Sequence, residues 1–135
     1  MTRLHVCPGG DIAERGRVIV RVGNTEIGIF RIKDRFYAYE NRCAHQGGPV
    51  CHGDVLGRWE EILGENGEIV DARFSEEQID IACPWHGWEY DLQTGKNIAD
   101  PRIELTSYEL EVDDGEIYLV VPEHLTTAPG ATSHD

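Results

Sequence analysis

The stretch that decides the fold class is Arg17-Val-Ile-Val-Arg-Val-Gly-Asn-Thr-Glu-Ile-Gly-Ile-Phe-Arg-Ile-Lys-Asp-Arg-Phe-Tyr-Ala-Tyr39. β-Branched or aromatic residues alternate with polar ones along it, which is the pattern of strands with one buried face. Breaks at Gly23-Asn24 and at Lys33-Asp34-Arg35 predict two tight turns. We therefore expect three consecutive strands, after a first strand that ends at Cys7.

The same signals return in the second half of the chain. Trp88-Glu-Tyr-Asp-Leu reads as a strand followed by a turn at Thr94-Gly95. Ile103 to Val112 and Glu116 to Val121 form a hairpin pattern across Asp113-Asp114-Gly115. The pattern predicts an all-β protein.

Little of the chain favours helix. Glu60 to Leu63 and Ser75 to Gln78 are locally helical in character, the second because Ser75 could cap a short turn. Residues 122–135 are small and polar with no periodicity, which predicts a flexible C-terminal tail. We expect one domain over residues 1–121, since 135 residues suit a single core.

The charge balance bears on the class of partner. Asp and Glu number 25 against 12 Lys and Arg, giving a formal net charge of -13. That sign repels the phosphate backbone of nucleic acid. An acidic surface suits a basic protein partner, although excess acid also serves solubility alone.

The compartment is predicted from what the sequence lacks. The N-terminus has no apolar run of signal-peptide length, and no stretch approaches the length of a membrane span. We expect a cytoplasmic protein with no membrane partner. In that reducing compartment the four cysteines are expected to be thiols or metal ligands.

Two short segments concentrate metal-binding side chains. They are Cys43-Ala-His45-Gln-Gly-Gly and Cys83-Pro-Trp-His86-Gly-Trp, each with one thiol, one imidazole and a following glycine. A cluster whose two irons have different ligands needs two thiolates and two imidazoles, so each segment can supply one ligand to each iron. Glycines at 47, 48 and 87 would let backbone amides approach the sulfurs, and Pro84 would stiffen the second segment.

Other interpretations of these four residues exist. Two Cys and two His can hold zinc tetrahedrally, although zinc sites usually begin with two cysteines two to four residues apart. The four could also be unrelated core residues, but paired Cys and His beside glycine match packing needs poorly.

The two segments resemble the signature of the Rieske family, a Cys-x-His followed later by a Cys-x-x-His. The versions most similar to Cys43-Ala-His45 and to Cys83-Pro-Trp-His86 are those of Rieske ferredoxins and of the N-terminal domains of ring-hydroxylating oxygenases. The resemblance covers roughly residues 4–121. It implies stacked antiparallel sheets and a cluster-binding subdomain, about residues 41–93, with two loops holding a [2Fe-2S] cluster. Cys43 and Cys83 would bind one iron, and His45 and His86 the other, nearer to solvent.

The resemblance also indicates a subtype. High-potential Rieske proteins carry an extra cysteine in each loop, joined as a disulfide, and a serine after the glycine of the second loop. This chain has Trp85 and Trp88 at the two second-loop positions, so a hydroxyl that could bond a cluster sulfur is missing there. We expect a potential near the low end of the range of about -150 to +300 mV.

One segment departs from the family pattern. Between His45 and Cys83 lie 37 residues, more than twice what common Rieske ferredoxins place there. The surplus falls within residues 54–80, which hold nine acidic residues and two arginines. Because this insertion connects the two loops, we expect it near the cluster, either as a docking element or as a solvated hairpin. Its apolar residues would let it fold back onto the domain: Trp59, Ile62, Leu63, Val70 and Phe74.

The remaining thiols and imidazoles are expected to be structural or exposed. Cys7 is typical of a small buried thiol. Cys51 or His52, close to the first loop, is a minor candidate for a third ligand there. His5, His124 and His134 are expected at the surface.

Three functions are compatible with the sequence. The first is a ferredoxin, not itself an enzyme, that carries single electrons from a reductase to a terminal oxygenase. The second is a small Rieske subunit or redox-sensing module of a larger oxidoreductase. The third, a catalytic oxygenase, needs mononuclear iron held by two His and a carboxylate, and the leftover histidines do not cluster in such a spacing.

Overall fold

The computed structural model describes residues 1–44, 47–85, 87–126 and 132–134. Nearly all regular structure within them is strand. The strands are β1 (Thr2–Pro8), β2 (Arg17–Val22), β3 (Thr25–Ile32), β4 (Arg35–Glu40), β5 (Asp54–Leu63), β6 (Ile69–Ala82), β7 (Glu89–Asp91), β8 (Ser107–Asp113), β9 (Glu116–Val121) and β10 (Thr132–His134). A short helix, α1, spans Glu123–Thr126, and 3₁₀ turns occur at Gly9–Asp11 and Val50–His52.

The strands form two antiparallel sheets. The larger has the order β1-β9-β8-β4-β3-β2-β10, and the smaller has the order β5-β6-β7. Strand β3 is buried on both faces, because Ile27 and Ile29 point into one core cluster while Phe30 and Ile32 point into another. The second cluster joins the larger sheet to β6 and β7 and contains Cys43, Cys51 and Cys83.

The prediction of an all-β fold is confirmed. The three strands expected from the opening stretch are β2, β3 and β4, with turns at the two predicted breaks. The second turn contains no glycine or asparagine at its centre. Lys33 and Asp34 adopt the left-handed conformation there, with φ of 50° and 66°. Strands β7 and β9 lie where the second half of the sequence predicted them, while β8 begins at Ser107 and not at the predicted Ile103.

The prediction of local helix at 60–63 and 75–78 is wrong. Both segments belong to the long β5–β6 hairpin, where Glu60 pairs with Arg73 and Ile62 with Asp71. The Ser75 hydroxyl does accept hydrogen bonds from the backbone N–H groups of Glu77 and Gln78, at 3.1 and 3.0 Å. These bonds stabilise a bulge, because the register jumps from Gly57 opposite Ile79 to Trp59 opposite Phe74.

The β5–β6 hairpin does not lie wholly beside the cluster loops, where the sequence placed it. It begins beside the two loops, where Asp54 pairs with Ala82, but its ten-residue strand β5 then runs roughly 30 Å along its length. Its outer half borders the Lys33 turn, since Lys33, Glu60 and Phe74 line one surface cavity. That turn is at the end of β4 remote from Cys43, so the hairpin tip is distal to the loops.

The apolar residues of the outer half of the hairpin do not fold back onto the domain, contrary to expectation. Trp59 and Phe74 contact each other edge to face, with ring centroids 5.1 Å apart, and both remain more than half exposed. The other exposed apolar residues of the hairpin are Ile62, Leu63, Ile69 and Val70. Long cross-strand pairing takes the outer half beyond the reach of the core, so the hairpin is the solvated form considered above.

A buried ion pair fixes the base of the hairpin. Asp80 is fully buried, and its carboxylate accepts hydrogen bonds from the Arg58 guanidinium at 3.0 to 3.3 Å. Arg58 also donates to Asp91 on β7 at 2.9 Å. The pair therefore ties β5, β6 and β7 together directly beneath the loops.

The C-terminal segment contains two short elements that the sequence analysis did not assign. Helix α1 follows β9, and β10 pairs with β2 through Thr132 and Val22. Residues 127–131 and 135 lie outside the described part of the chain, so the flexibility of the tail stays a prediction, as do the domain bounds 1–121 and 41–93. Among the described residues no helix is long and apolar enough to cross a membrane.

Candidate metal centre

The two predicted ligand loops have the same backbone design. The N–H of Cys43 donates to the carbonyl of Gly48 at 2.7 Å, and the N–H of Gly47 donates to the carbonyl of Cys43 at 2.9 Å. In the second loop Cys83 bonds Trp88 and Gly87 in the same way, at 2.8 and 3.2 Å.

Both loops need glycine at the same step. Gly47 has φ of +73° and Gly87 has φ of +69°, a region that side chains rarely allow. The sequence analysis selected these glycines, and the structure gives each the turn that returns the chain towards its cysteine.

The two thiols meet at the buried end of the loops. Cys43 and Cys83 are 4% and 2% exposed and belong to one core cluster. Burial raises the pKa of Cys83, a backbone hydrogen bond from Trp85 lowers it, and the hydrogen-bonding contact with Cys43 raises it further. Two buried thiols in contact, with a backbone donor beside them, fit the thiolate side of a metal cluster.

A tyrosine that the sequence analysis missed completes the thiol environment. Tyr90 on β7 is fully buried, and its hydroxyl lies 3.1 Å from the Sγ of Cys43. Burial and the neighbouring thiol raise the pKa of this hydroxyl. The serine position is Trp88, as predicted, but a hydroxyl does reach a cysteine sulfur from two residues further along. The available signal was the position of Tyr90 between Glu89 and Asp91, because this alternation turns the tyrosine towards the core, where a buried hydroxyl needs a partner.

The first loop is anchored to the larger sheet. The Arg17 guanidinium on β2 donates to the carbonyls of Cys51 and Gly53 at 2.5 and 2.6 Å. The Asn41 side chain accepts from the Cys51 N–H at 2.8 Å and donates to Glu26 at 3.0 Å. These bonds hold the chain that follows the loop against β2 and β3.

Cys51 is a structural thiol, and the structure brings it to no ligand position. It is 1% exposed, its Sγ faces the carbonyl of Tyr39 at 3.5 Å, and it packs closely on Gly28. Burial raises its pKa to about 12. His52 beside it is exposed, as are His5 and His124. Cys7 is partly buried in the first strand.

The predicted imidazole ligands are His45 and His86. Both lie outside the described residues, so their role stays a prediction.

An all-β domain with two matched glycine loops that bring two thiols together has the features of an iron–sulfur protein. The Rieske [2Fe-2S] domain model matches residues 2–109, so the chain belongs to that family. A Rieske domain carries a [2Fe-2S] cluster, which makes the iron–sulfur assignment, and not zinc, the correct one.

Curated and solved relatives cover most of the chain. The 3-phenylpropionate/cinnamic acid dioxygenase ferredoxin subunit of Escherichia coli K12 is 27% identical over 124 residues, 91% of this chain and 97% of its own length. The ferredoxin–oxygenase complex of carbazole 1,9a-dioxygenase gives 27% identity and a TM-score of 0.63, covering 87% of this chain and 92% of that one. The structure proposed as an NADH-dependent nitrite reductase small subunit of Mycobacterium tuberculosis gives 19% identity and a TM-score of 0.65, covering 90% and 96%.

Proposed function

We propose that this protein is a Rieske ferredoxin that carries one electron at a time from a reductase to the terminal oxygenase of a ring-hydroxylating dioxygenase system. The observation that carries this proposal is the pair of buried thiols on matched loops in a domain that relatives of similar length use as a ferredoxin. The protein supplies electrons to the oxygenase and does not itself catalyse the reaction.

The ligand set of the proposal has two halves. Cys43 and Cys83 bind one iron through their thiolates, and His45 and His86 bind the other through neutral imidazoles. When bound, the cluster accepts and returns a single electron. The described residues bury the sulfur side of the site, so the histidine side is the route by which the electron leaves.

The potential is proposed to be in the low part of the Rieske range. Trp88 at the position of the serine removes one hydroxyl donor, while Tyr90 retains another near Cys43. Hydrogen bonds to cluster sulfurs raise the potential because they stabilise the extra negative charge of the reduced state. One hydroxyl donor in place of two supports the low-potential subtype.

The partners are proposed to be redox proteins. The carbazole dioxygenase relative is a complex between ferredoxin and oxygenase, and the net charge of -13 favours partners with basic docking faces over nucleic acid. A cytoplasmic location fits the four cysteines, none of which forms a disulfide.

The second candidate is a small Rieske subunit within a larger reductase. The Mycobacterium tuberculosis structure shares the fold, but at 19% identity the likeness extends to the fold alone. Tight copurification with a large reductase subunit would favour this candidate, whereas rapid electron exchange with a separable oxygenase would favour the ferredoxin.

The test begins with the purified protein. We expect a red-brown chain with about two irons and two sulfides, and a reduced form with the low average g value of mixed Cys and His ligation. The His86→Ala variant should lose the cluster. One zinc per chain, or a spectrum typical of four cysteine ligands, would overturn the assignment. Stopped-flow mixing of the reduced protein with a terminal ring-hydroxylating oxygenase from the same organism then tests the carrier role, and failure to reoxidise would contradict it.

A further inference from the structure

Trp85 of the second loop lies directly on Gly48 of the first. A Cβ atom on Gly48 would stand 2.8 Å from Cδ2, 2.9 Å from Cγ and 3.0 Å from Cε3 of the Trp85 ring. These are the three nearest atoms to that position, and side-chain carbons essentially never approach so closely. The indole therefore leaves room for glycine alone.

The backbone of Gly48 gives no other reason for a glycine. Its φ is not positive, unlike those of Gly47 and Gly87, which lie at +73° and +69°. Its φ therefore does not itself require a glycine. The contact with Trp85 thus explains the residue.

Both partners of this contact are bonded to a cysteine that holds the cluster. The carbonyl of Gly48 accepts the N–H of Cys43 at 2.7 Å, and the backbone of Trp85 hydrogen-bonds the thiol of Cys83. A shift of the indole relative to Gly48 would therefore move one cysteine relative to the other.

We propose that Trp85 and Gly48 form a latch that holds the two loops at the spacing the cluster needs and shields its sulfur side from water. Trp85 is a positioning residue, half exposed at 50% and half packed on the opposite loop. The latch is a non-covalent connection between the two loops. The inference rests on the proposed cluster site.

The test is a double-mutant cycle on cluster loss. Trp85→Ala, Gly48→Ala and the double variant are loaded with cluster, and the bleaching of the visible absorbance is followed in the presence of an iron chelator. Each single change should accelerate loss on the order of tenfold, because each removes or displaces the packed indole. The double variant should be no faster than the faster single one, since no indole remains for the new Cβ to displace.

The chain offers a matched control. Trp59 is also a half-exposed tryptophan, 52% exposed, but it lies on the distal hairpin. Trp59→Ala should leave the rate of cluster loss unchanged. Trp85→Phe, which keeps an aromatic ring over Gly48, should restore most of the retention that Trp85→Ala loses.

The reduction potential supplies a readout that general destabilisation would not move. Removing the indole admits water to the cluster, which favours the more negatively charged reduced state, so Trp85→Ala should have a higher potential. Additive effects in the cycle, or equal loss rates for Trp85→Ala and Trp59→Ala, would overturn the latch.

Two further outcomes distinguish misfolding of a variant, failure of the latch and failure of the proposed function. If Trp85→Ala fails to fold, Gly48→Ala is compared in the wild-type and Trp85→Leu backgrounds, and the latch requires the smaller effect beside Leu, which has no ring over Gly48. If the wild-type chain holds no two-iron cluster, the proposed function fails first.

Discussion

At the scale of single residues, Tyr90 is a side chain outside the proposed ligand set that contacts a ligand sulfur. Replacing Tyr90 with Phe removes the hydroxyl that lies 3.1 Å from Cys43. Because this hydrogen bond stabilises the reduced cluster, we expect the potential to fall by on the order of 50 mV, one net hydrogen bond expressed for one electron. Protein-film voltammetry measures the shift.

Tyr39 is the matched control for that change. It is also a buried tyrosine, but its hydroxyl donates to the carbonyl of Leu92 at 2.7 Å. Tyr39→Phe should lower the thermal stability and leave the potential in place. Equal potentials for Tyr90→Phe and the wild type would remove Tyr90 from the group of residues that tune the cluster.

Cys51 is expected to be unreactive despite its position next to a ligand loop. Its pKa of about 12 leaves on the order of one thiol in ten thousand ionised at pH 8, and burial closes access to reagents. Iodoacetamide should therefore modify the partly buried Cys7 well before Cys51 in the folded protein. The modification of Cys51 should rise with pH and on unfolding, as peptide mass spectrometry would show. Fast modification of Cys51 in the folded chain would contradict its placement.

The sequence predicted the ligand residues by motif but not their supports. Cys43, Cys83 and the glycines could be predicted because each motif lies within one short stretch of sequence. Tyr90, Arg17 and Asn41 act on the loops through contacts with other strands, and the sequence does not show which strand faces which loop. His45 and His86 stay predictions from the same spacing.

At the scale of elements, the Arg58–Asp80 pair is the support of the smaller sheet. We expect Arg58→Ala to destabilise the protein by about 3 to 5 kcal/mol at neutral pH, because it leaves Asp80 buried without its partner. Urea unfolding at two pH values measures the loss. Arg73→Ala, which removes an exposed pair with Glu60 from the same hairpin, should cost about 0 to 1 kcal/mol.

The loss should depend on pH with a definite sign. Burial already raises the pKa of Asp80, and the hydrogen bond and charge of Arg58 oppose that rise. Without Arg58 the folded pKa rises further, so the folded variant binds a proton more tightly than the unfolded chain does. Its deficit should be full and constant above the new folded pKa, and should shrink as the pH falls through that pKa towards the pKa of the unfolded carboxyl. A deficit independent of pH would show that packing, not charge, accounts for the loss.

The hairpin explains where element prediction failed. Residues 60–63 and 75–78 carry short-range signals that favour a turn of helix, and the Ser75 hydrogen bonds are indeed formed. Pairing of Trp59 with Phe74 and of Glu60 with Arg73 fixes the segment as strand. Such pairing links residues 13 to 15 positions apart. The local signals that favour helix span only four residues and therefore do not include these partners.

At the scale of the whole molecule, the acidic surface predicts how electron transfer responds to salt. The net charge of -13 should accelerate encounter with a partner whose docking face is basic. The second-order rate constant for reoxidation by the oxygenase should therefore fall as ionic strength rises, while the potential changes little. Stopped-flow rates over a salt series test this. A rate that is flat, or that rises with salt, would leave solubility as the role of the charge.

The distal hairpin gives the molecule two ends with separate properties. Its turn at Gly64 to Glu68 lies at the far end of β5 from the ligand loops. A single reactive side chain introduced at exposed Asn66 would attach the protein to an electrode with its redox face turned towards solution. The same orientation would leave that face free for a soluble partner, so the insertion provides a handle for wiring this carrier into a device.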